Sequence, residues 1–230
     1  MQDSDNDQIL TALAERALAF VPQAGTVGLG TGRAASAFVR ALGALPVERT
    51  RRLSCVATSE ATAELARSVG LSLVTLADVE SVDVTIDGAD EVAPNLDLIK
   101  GYGGALVREK VVAATSAKLV IVATRDKLVP RLGMRGKLPV EVVPFAWPFC
   151  RRKLRELLGQ EPLLRQDGNR PYVSDGENYI LDCPIGPIDD PPQLELAIRA
   201  IPGVVGTGLF LGLASVVLVG DQHGVEERKR

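Results

Sequence analysis

The chain has 230 residues, with 26 basic and 29 acidic side chains, a net charge of -3 and 46% hydrophobic residues. This balance excludes a wholly disordered chain and argues against a strongly basic face with nucleic acid as the main partner. At roughly 150 residues per domain, the length admits one large domain or two modest ones.

Residues 8–20, QILTALAERALAF, carry apolar side chains at helical spacing. The acidic MQDSDNDQ before them suits the positive end of the helix dipole and is the opposite of a signal or transit peptide. GTVGLGTG then reads as a short strand breaking into glycines, and 33–43 as a helix closed by Gly43. LSCVAT and SEATAELARSVG repeat the strand–helix form, and LSLVTL is a further strand candidate. VDVTIDGADEV is a strand running into carboxylates, KGYGGALVREKVVAATS a glycine loop followed by a helix. KLVIVAT is a continuous apolar strand of the kind buried on both faces. This alternation predicts an α/β fold: a doubly wound, mostly parallel sheet with helices on both faces.

Beyond residue 130 the rhythm changes. PVEVVPFA, WPFCRRKLRELLG, EPLLRQ, NYILDC, PPQLELAIRAI and GVVGTGLF give the order β-α-β-β-α-β of a ferredoxin-like α+β unit. LASVVLVG returns to the first sheet, and EERKR reads as a solvated tail. The expected division is therefore 1–129 plus 207–230 as the α/β domain, and 130–206 as the smaller ferredoxin-like domain.

Cys55, Cys150 and Cys183 are far apart and odd in number, which fits neither a disulfide framework nor a CxxC metal site. They read as buried small hydrophobes in a reducing compartment. The longest uncharged apolar run, 209–220, falls short of the ~20 residues of a membrane span. A cytoplasmic protein without a membrane partner is expected.

Ligands of open parallel sheets bind at the carboxyl ends of the strands, where GLGTG, IDGADE and KGYGGAL are expected to lie. GLGTG lacks both the dinucleotide fingerprint, because Arg33 stands where glycine would be needed, and the GK[ST] of a P-loop. It reads either as a phosphate cradle at a helix N-terminus or as a tight turn, and Arg33 favours the anion. In IDGADE, Asp87, Asp90 and Glu91 are solvated turn acids, metal ligands or acid–base groups; the spacing is not that of an EF-hand and His223 is the single histidine. KGYGGALVREK joins Lys100, a glycine loop and Glu109, where a cation and backbone N–H groups could hold an oxyanion. Arg108 and Lys110 flank Glu109, so a salt-bridged helix face is the competing reading. Lys127 is either a site lysine or a surface one.

Taken together, in order and spacing, VGLGTG, TSEAT, TIDGADE, KGYGGALVREK and LPVEVVP resemble the ribose-5-phosphate isomerase type A family, and GLFLGLASVVLVG is similar to its final strands. GTG alone is weak; DGADE followed by KG-x-GGAL-x-REK is highly specific. The resemblance implies an aldose–ketose isomerase that interconverts ribose 5-phosphate and ribulose 5-phosphate through an enediolate, in the non-oxidative pentose phosphate branch. It implies a sugar-phosphate substrate, no cofactor, no metal and a homo-oligomer, dimer or tetramer. Glu109 would be the general base. Asp87 and Asp90, beside Gly88 and Ala89, would assist ring opening and hold hydroxyls. Lys100 with Gly101, Tyr102 and Gly103 would bind the enediolate. Thr31, Gly32, Arg33 and Ala34 would hold the phosphate, with Lys127 as a further substrate contact.

The chain departs from many members at four places. Arg33 and Ala34 replace two hydroxyls, no lysine lies near Leu10, Tyr102 replaces a glycine and Val107 a threonine. Arg33 is expected to take over the phosphate charge. The competing readings are a non-catalytic sugar-phosphate sensor on the same fold, and an isomerase of a related sugar phosphate.

Overall fold

The computed structural model describes residues 2–230, with side chains from residue 6 onward. The helices are α1 (Gln2–Ala17), α2 (Arg33–Gly43), α3 (Val47–Thr50), α4 (Glu60–Ser68), α5 (Leu106–Thr115), α6 (Trp147–Leu158) and α7 (Pro191–Arg199). The strands are β1 (Gly25–Leu29), β2 (Leu53–Ala57), β3 (Val84–Asp87), β4 (Glu91–Val92), β5 (Leu98–Ile99), β6 (Leu119–Thr124), β7 (Lys137–Val142) and β8 (Leu163–Leu164). They continue with β9 (Gln166–Asp167), β10 (Arg170–Pro171), β11 (Tyr179–Pro184), β12 (Val204–Thr207), β13 (Leu209–Phe210), β14 (Ala214–Asp221) and β15 (Gly224–Lys229).

The chain divides into two compact units. One comprises Met1–Ala89, Glu109–Lys127 and Leu213–Arg230; the other comprises Asp90–Arg108 and Leu128–Gly212. Residues 90–108, which the sequence rhythm groups with the first half, cluster with the second unit.

The first unit is built on a six-stranded sheet of order β15-β14-β6-β3-β1-β2, parallel throughout except for β15. Alternate residues of its strands, Val27 and Leu29, Val84 and Ile86, Val120 and Val122, face a core made with α1, α2 and α4. The opposite face receives α5. A Cβ on Gly28 would lie 2.9 Å from Val112 and closer still to Thr85, so the missing side chain lets helix and sheet approach. Helices on both faces make the sheet doubly wound, as the alternating pattern predicts.

Two readings of this half change. LSLVTL makes only a bridge from Leu73 to Cys55, because the Asp78 carboxylate captures the Thr75 N–H and hydroxyl at 2.8 Å and turns the chain away. The C-terminal EERKR is not a free tail: all but Arg230 lies within β15, whose Val225 packs on the core and whose Glu227 pairs with Arg16 at 2.7 Å. Its charges suit a sheet edge that must not recruit another strand.

The second unit contains an antiparallel sheet of order β12-β7-β11-β8, with α6 following β7 and α7 following β11. Ranked by chain position within the motif the order is 4-1-3-2, from a β-α-β-β-α-β path. Leu138, Val140 and Val142 of β7 pack with Cys150 and Leu154 of α6 and Ile198 of α7. EPLLRQ forms only the short β8 and β9. GVVGTGLF splits into β12 and β13 at Gly208, where a Cβ would stand 2.4 Å from the Lys100 carbonyl; the chain thereby passes to a three-stranded sheet of order β13-β5-β4. The glycine loop after Lys100 therefore follows β5, not a strand of the large parallel sheet.

Candidate active site

In the first unit, β1 and β3 are parallel neighbours, so GLGTG and IDGADE leave the sheet side by side. Asp87 closes β3 and is fully buried. Its Oδ1 accepts the backbone N–H of Thr31 at 3.1 Å and of Gly88 at 2.7 Å. Gly30 is required for this: its Cβ would fall 2.2 Å from that same oxygen. Gly32, at φ 101°, breaks the strand direction and sits at the N-cap of α2 without any side-chain cap, so the first N–H groups over Arg33 and Ala34 are left to solvent or a ligand. The Arg33 guanidinium lies 3.8 Å from Asp7, both exposed, a loose ion pair that holds it weakly.

The Thr31 hydroxyl enters a cluster that sequence reasoning missed. It donates to Ser59 at 2.9 Å and lies 2.8 Å from Thr58. Thr62 donates to the Gly30 carbonyl at 3.0 Å, and Thr58 to the Leu29 carbonyl at 3.0 Å. TSEAT thus supplies both the α4 cap, with Ser59 accepting the Thr62 N–H, and the brace behind the GTG turn. The signal in sequence was its Ser N-cap pattern, which reads as local helix chemistry only.

Glu109 lies in the first turn of α5 and is 4% exposed. It is three residues from Val112, so both share the helix face that meets the sheet. Ser116 at the end of α5 lies 2.6 Å from Thr85, and Ala117 bonds Val82; the helix therefore ends near the start of β3. Its first turn, with Glu109, lies toward the end of β3, where Asp87 stands. This burial excludes the exposed helix face of the competing reading for Glu109. Lys127 ends a short turn after β6, the other parallel neighbour of β3, and is half-buried.

In the second unit, Asp90 accepts the Tyr102 N–H at 2.9 Å, and its own N–H bonds Ile99. Glu91 serves a different purpose: buried, it accepts the N–H groups of Gly133 at 2.6 Å and Arg135 at 2.7 Å. The carboxylates of IDGADE are thus each committed to backbone donors of different segments. Among the described residues, no three His, Cys, Asp or Glu gather as a metal-holding group. Lys100 is 2% exposed, its Nζ 5.5 Å from the Phe210 ring centroid. Gly101 and Gly104 take φ of 104° and 89°. Tyr102 donates its hydroxyl to the Lys137 carbonyl at 3.1 Å; burial, then Glu91 and Asp90 nearby, push its acidity far down, so it stays a neutral donor. Gly103 is exposed.

The three cysteines are free and buried, and burial pushes the Cys55 thiol up to about 12. None is poised as a nucleophile. No helix among the described residues is long and apolar enough to cross a membrane.

Residues 54–224 match the family model described as ribose 5-phosphate isomerase A (phosphoriboisomerase A). A curated ribose-5-phosphate isomerase A from Roseiflexus castenholzii is 51% identical over 216 residues, 93% of this chain and 92% of that protein. The solved structure of ribose 5-phosphate isomerase A from Methanocaldococcus jannaschii is 37% identical, with a TM-score of 0.90 over 98% of this chain and all of that one. A D-ribose-5-phosphate isomerase solved in complex with phospho-erythronic acid is 32% identical, with a TM-score of 0.91 over 97% of this chain and 99% of that one.

Proposed function

The chain belongs to the ribose 5-phosphate isomerase A family, and from that premise we infer that it interconverts D-ribose 5-phosphate and D-ribulose 5-phosphate. The observation that carries the residue roles is the burial of two opposite charges, Lys100 at 2% and Glu109 at 4% exposure. Taking a charge out of water costs much free energy, and buried ionisable groups cluster at functional sites.

An aldose–ketose isomerase moves a proton between adjacent carbons. Asp87 and Asp90, three positions apart at the end of β3 and in the loop after it, hold sugar hydroxyls beside Gly88 and Ala89 and assist ring opening. Each already fixes a glycine loop through a backbone N–H. Glu109 takes the C2 proton and returns it to C1, so one base serves both half-reactions. A carboxylate is a weak base, so the enediolate must be stabilised strongly; the Lys100 ammonium and the loop of Gly101, Tyr102 and Gly103 place fixed positive potential on its oxygens. Gly32, Arg33 and Ala34 bind the phosphate at the start of α2, on a turn that Thr31 braces through Asp87 and Ser59, and Lys127 is a further contact. Phosphate binding energy then orients the reacting carbons. The reaction so drawn uses neither metal nor cofactor.

The family resemblance further supports a homo-oligomer, dimer or tetramer, working in the cytoplasm in the non-oxidative pentose phosphate branch. It also supports a doubly wound sugar-phosphate domain and a smaller ferredoxin-like domain, with residues 90–108 grouped with the smaller one. No observation favours a non-catalytic sensor. A coupled assay on ribose 5-phosphate in EDTA tests the reading: turnover unchanged by the chelator is expected, and a protein that binds the sugar phosphate without converting it would overturn the assignment.

Arg33 stands where many members carry a hydroxyl, and its loose pairing with Asp7 leaves the guanidinium free to meet a phosphate. Arg33→Ala is expected to raise KM for ribose 5-phosphate several-fold with kcat nearly unchanged, the pattern of lost uniform binding. An unchanged KM in steady-state kinetics would remove Arg33 from the phosphate site.

A further inference from the structure

We propose that Arg165 is a positioning residue that fixes the peptide orientation of the loop carrying Lys100, Gly101, Tyr102 and Gly103; the proposal rests on the enediolate-binding role given to that loop above. Arg165 lies between β8 and β9, far in sequence from the motifs, and its side chain is only 12% exposed. Its Nε and Nη2 grip the two Asp182 oxygens at 2.9 and 2.5 Å. That bidentate pairing leaves Nη1 in a fixed position. Nη1 donates to two consecutive backbone carbonyls, Gly101 at 3.0 Å and Tyr102 at 3.2 Å.

The consequence follows from the planarity of the peptide bond. A trans peptide holds its C=O and the next N–H on opposite edges, and the described chain has no cis peptide. The peptide joining Gly101 to Tyr102 is therefore clamped from both sides: Arg165 takes its oxygen and Asp90 takes its N–H. In the next peptide Arg165 takes the Tyr102 oxygen, so the Gly103 N–H is directed away from Arg165. Glycines beside this peptide would otherwise let it flip, because they accept φ of either sign. A flipped peptide would present a carbonyl where an N–H is required, turning a stabilising dipole against an oxyanion.

The surrounding packing serves the same segment. The Tyr172 ring covers Gly104 so closely that a Cβ there would lie 2.2 Å from its hydroxyl. Arg108 donates to the Asp175 carbonyl at 2.8 Å. Asp182 is also 3.6 Å from Lys137, whose ammonium sits 4.3 Å from the Tyr102 ring centroid. Residues 165–182 thus brace the loop along its length, and Arg165 is the part that touches its backbone carbonyls.

The test compares wild type with Arg165→Lys and Arg165→Ala. Lysine keeps a cation for Asp182 but cannot grip it with two nitrogens while bonding two carbonyls. Removing one oxyanion donor costs ~10²-fold in rate; a loop left free to flip is expected to lower kcat by about 10-fold or more in Arg165→Lys. KM for ribose 5-phosphate should change less than threefold, while affinity for phospho-erythronic acid, whose carboxylate mimics the enediolate oxygens, falls in step with kcat. Folding is checked by near-UV circular dichroism, and Arg165→Lys decides the matter if Arg165→Ala does not fold. A folded Arg165→Lys with wild-type kcat, or losses confined to melting temperature, would overturn the positioning role. An inactive wild type would instead overturn the isomerase reading itself.

Discussion

Glu109→Gln is expected to lower kcat by ~10²-fold or more while the protein still binds ribose 5-phosphate, because the amide keeps the shape and the hydrogen-bonding reach of the side chain but cannot take a proton. The location of the residue makes the expectation sharp. Glu109 shares a helix face with Val112, which fills the space left by Gly28, and it is buried rather than solvated. The substitution removes a charge from a buried position without changing volume, so folding should survive. Steady-state kinetics on ribose 5-phosphate would check it. Near-normal turnover would mean that the base is another residue.

The second large effect is expected at Lys100. Lys100→Met keeps an unbranched apolar stem beside Phe210 and removes the ammonium. If that charge stabilises the developing enediolate, kcat should fall by ~10² to 10³-fold, the scale of a lost oxyanion donor. KM should move less, because the ground-state sugar carries no charge at those oxygens. A kcat within a few-fold of wild type, in a variant with normal melting temperature, would leave Lys100 as a structural cation–π partner only.

Much of this was legible in the chain because the relevant signals are local. KLVIVAT has no polar interruption, so it reads as a doubly buried strand, and β6 occupies the middle of the sheet. Residues 33–43 read as a helix because the apolar period and the closing glycine agree, and α2 has those bounds. IDGADE drew attention because three carboxylates crowd five residues. Their distinction was not legible. Asp87 meets Thr31, Asp90 meets Tyr102, and Glu91 meets Gly133 and Arg135, all through backbone donors that no residue type announces.

Short strands were the other loss. LSLVTL has β-propensity, but one aspartate three residues past Thr75 supplies a better partner for the backbone than a sheet edge does. GVVGTGLF looks continuous, yet Gly208 hands the chain from one sheet to another. The terminal EERKR reads as solvated because its charges dominate; its pairing with β14 depends on backbone hydrogen bonds, which composition does not encode. Arg165 carried no sequence signal at all, since its partners are carbonyl oxygens 63 and 64 residues away.

In the mechanism proposed, the carboxylate at position 109 carries the proton between C2 and C1. This transfer is tested most directly with ribose 5-phosphate bearing deuterium at C2, followed by mass spectrometry of the product and of the remaining substrate. Wild type should move the label partly to C1 of ribulose 5-phosphate and release the rest to water, as a single exchangeable base requires. Glu109→Gln should leave the label at C2 while ribose 5-phosphate still binds. Loss of deuterium from C2 at the wild-type rate in Glu109→Gln would place the proton transfer on a group other than Glu109.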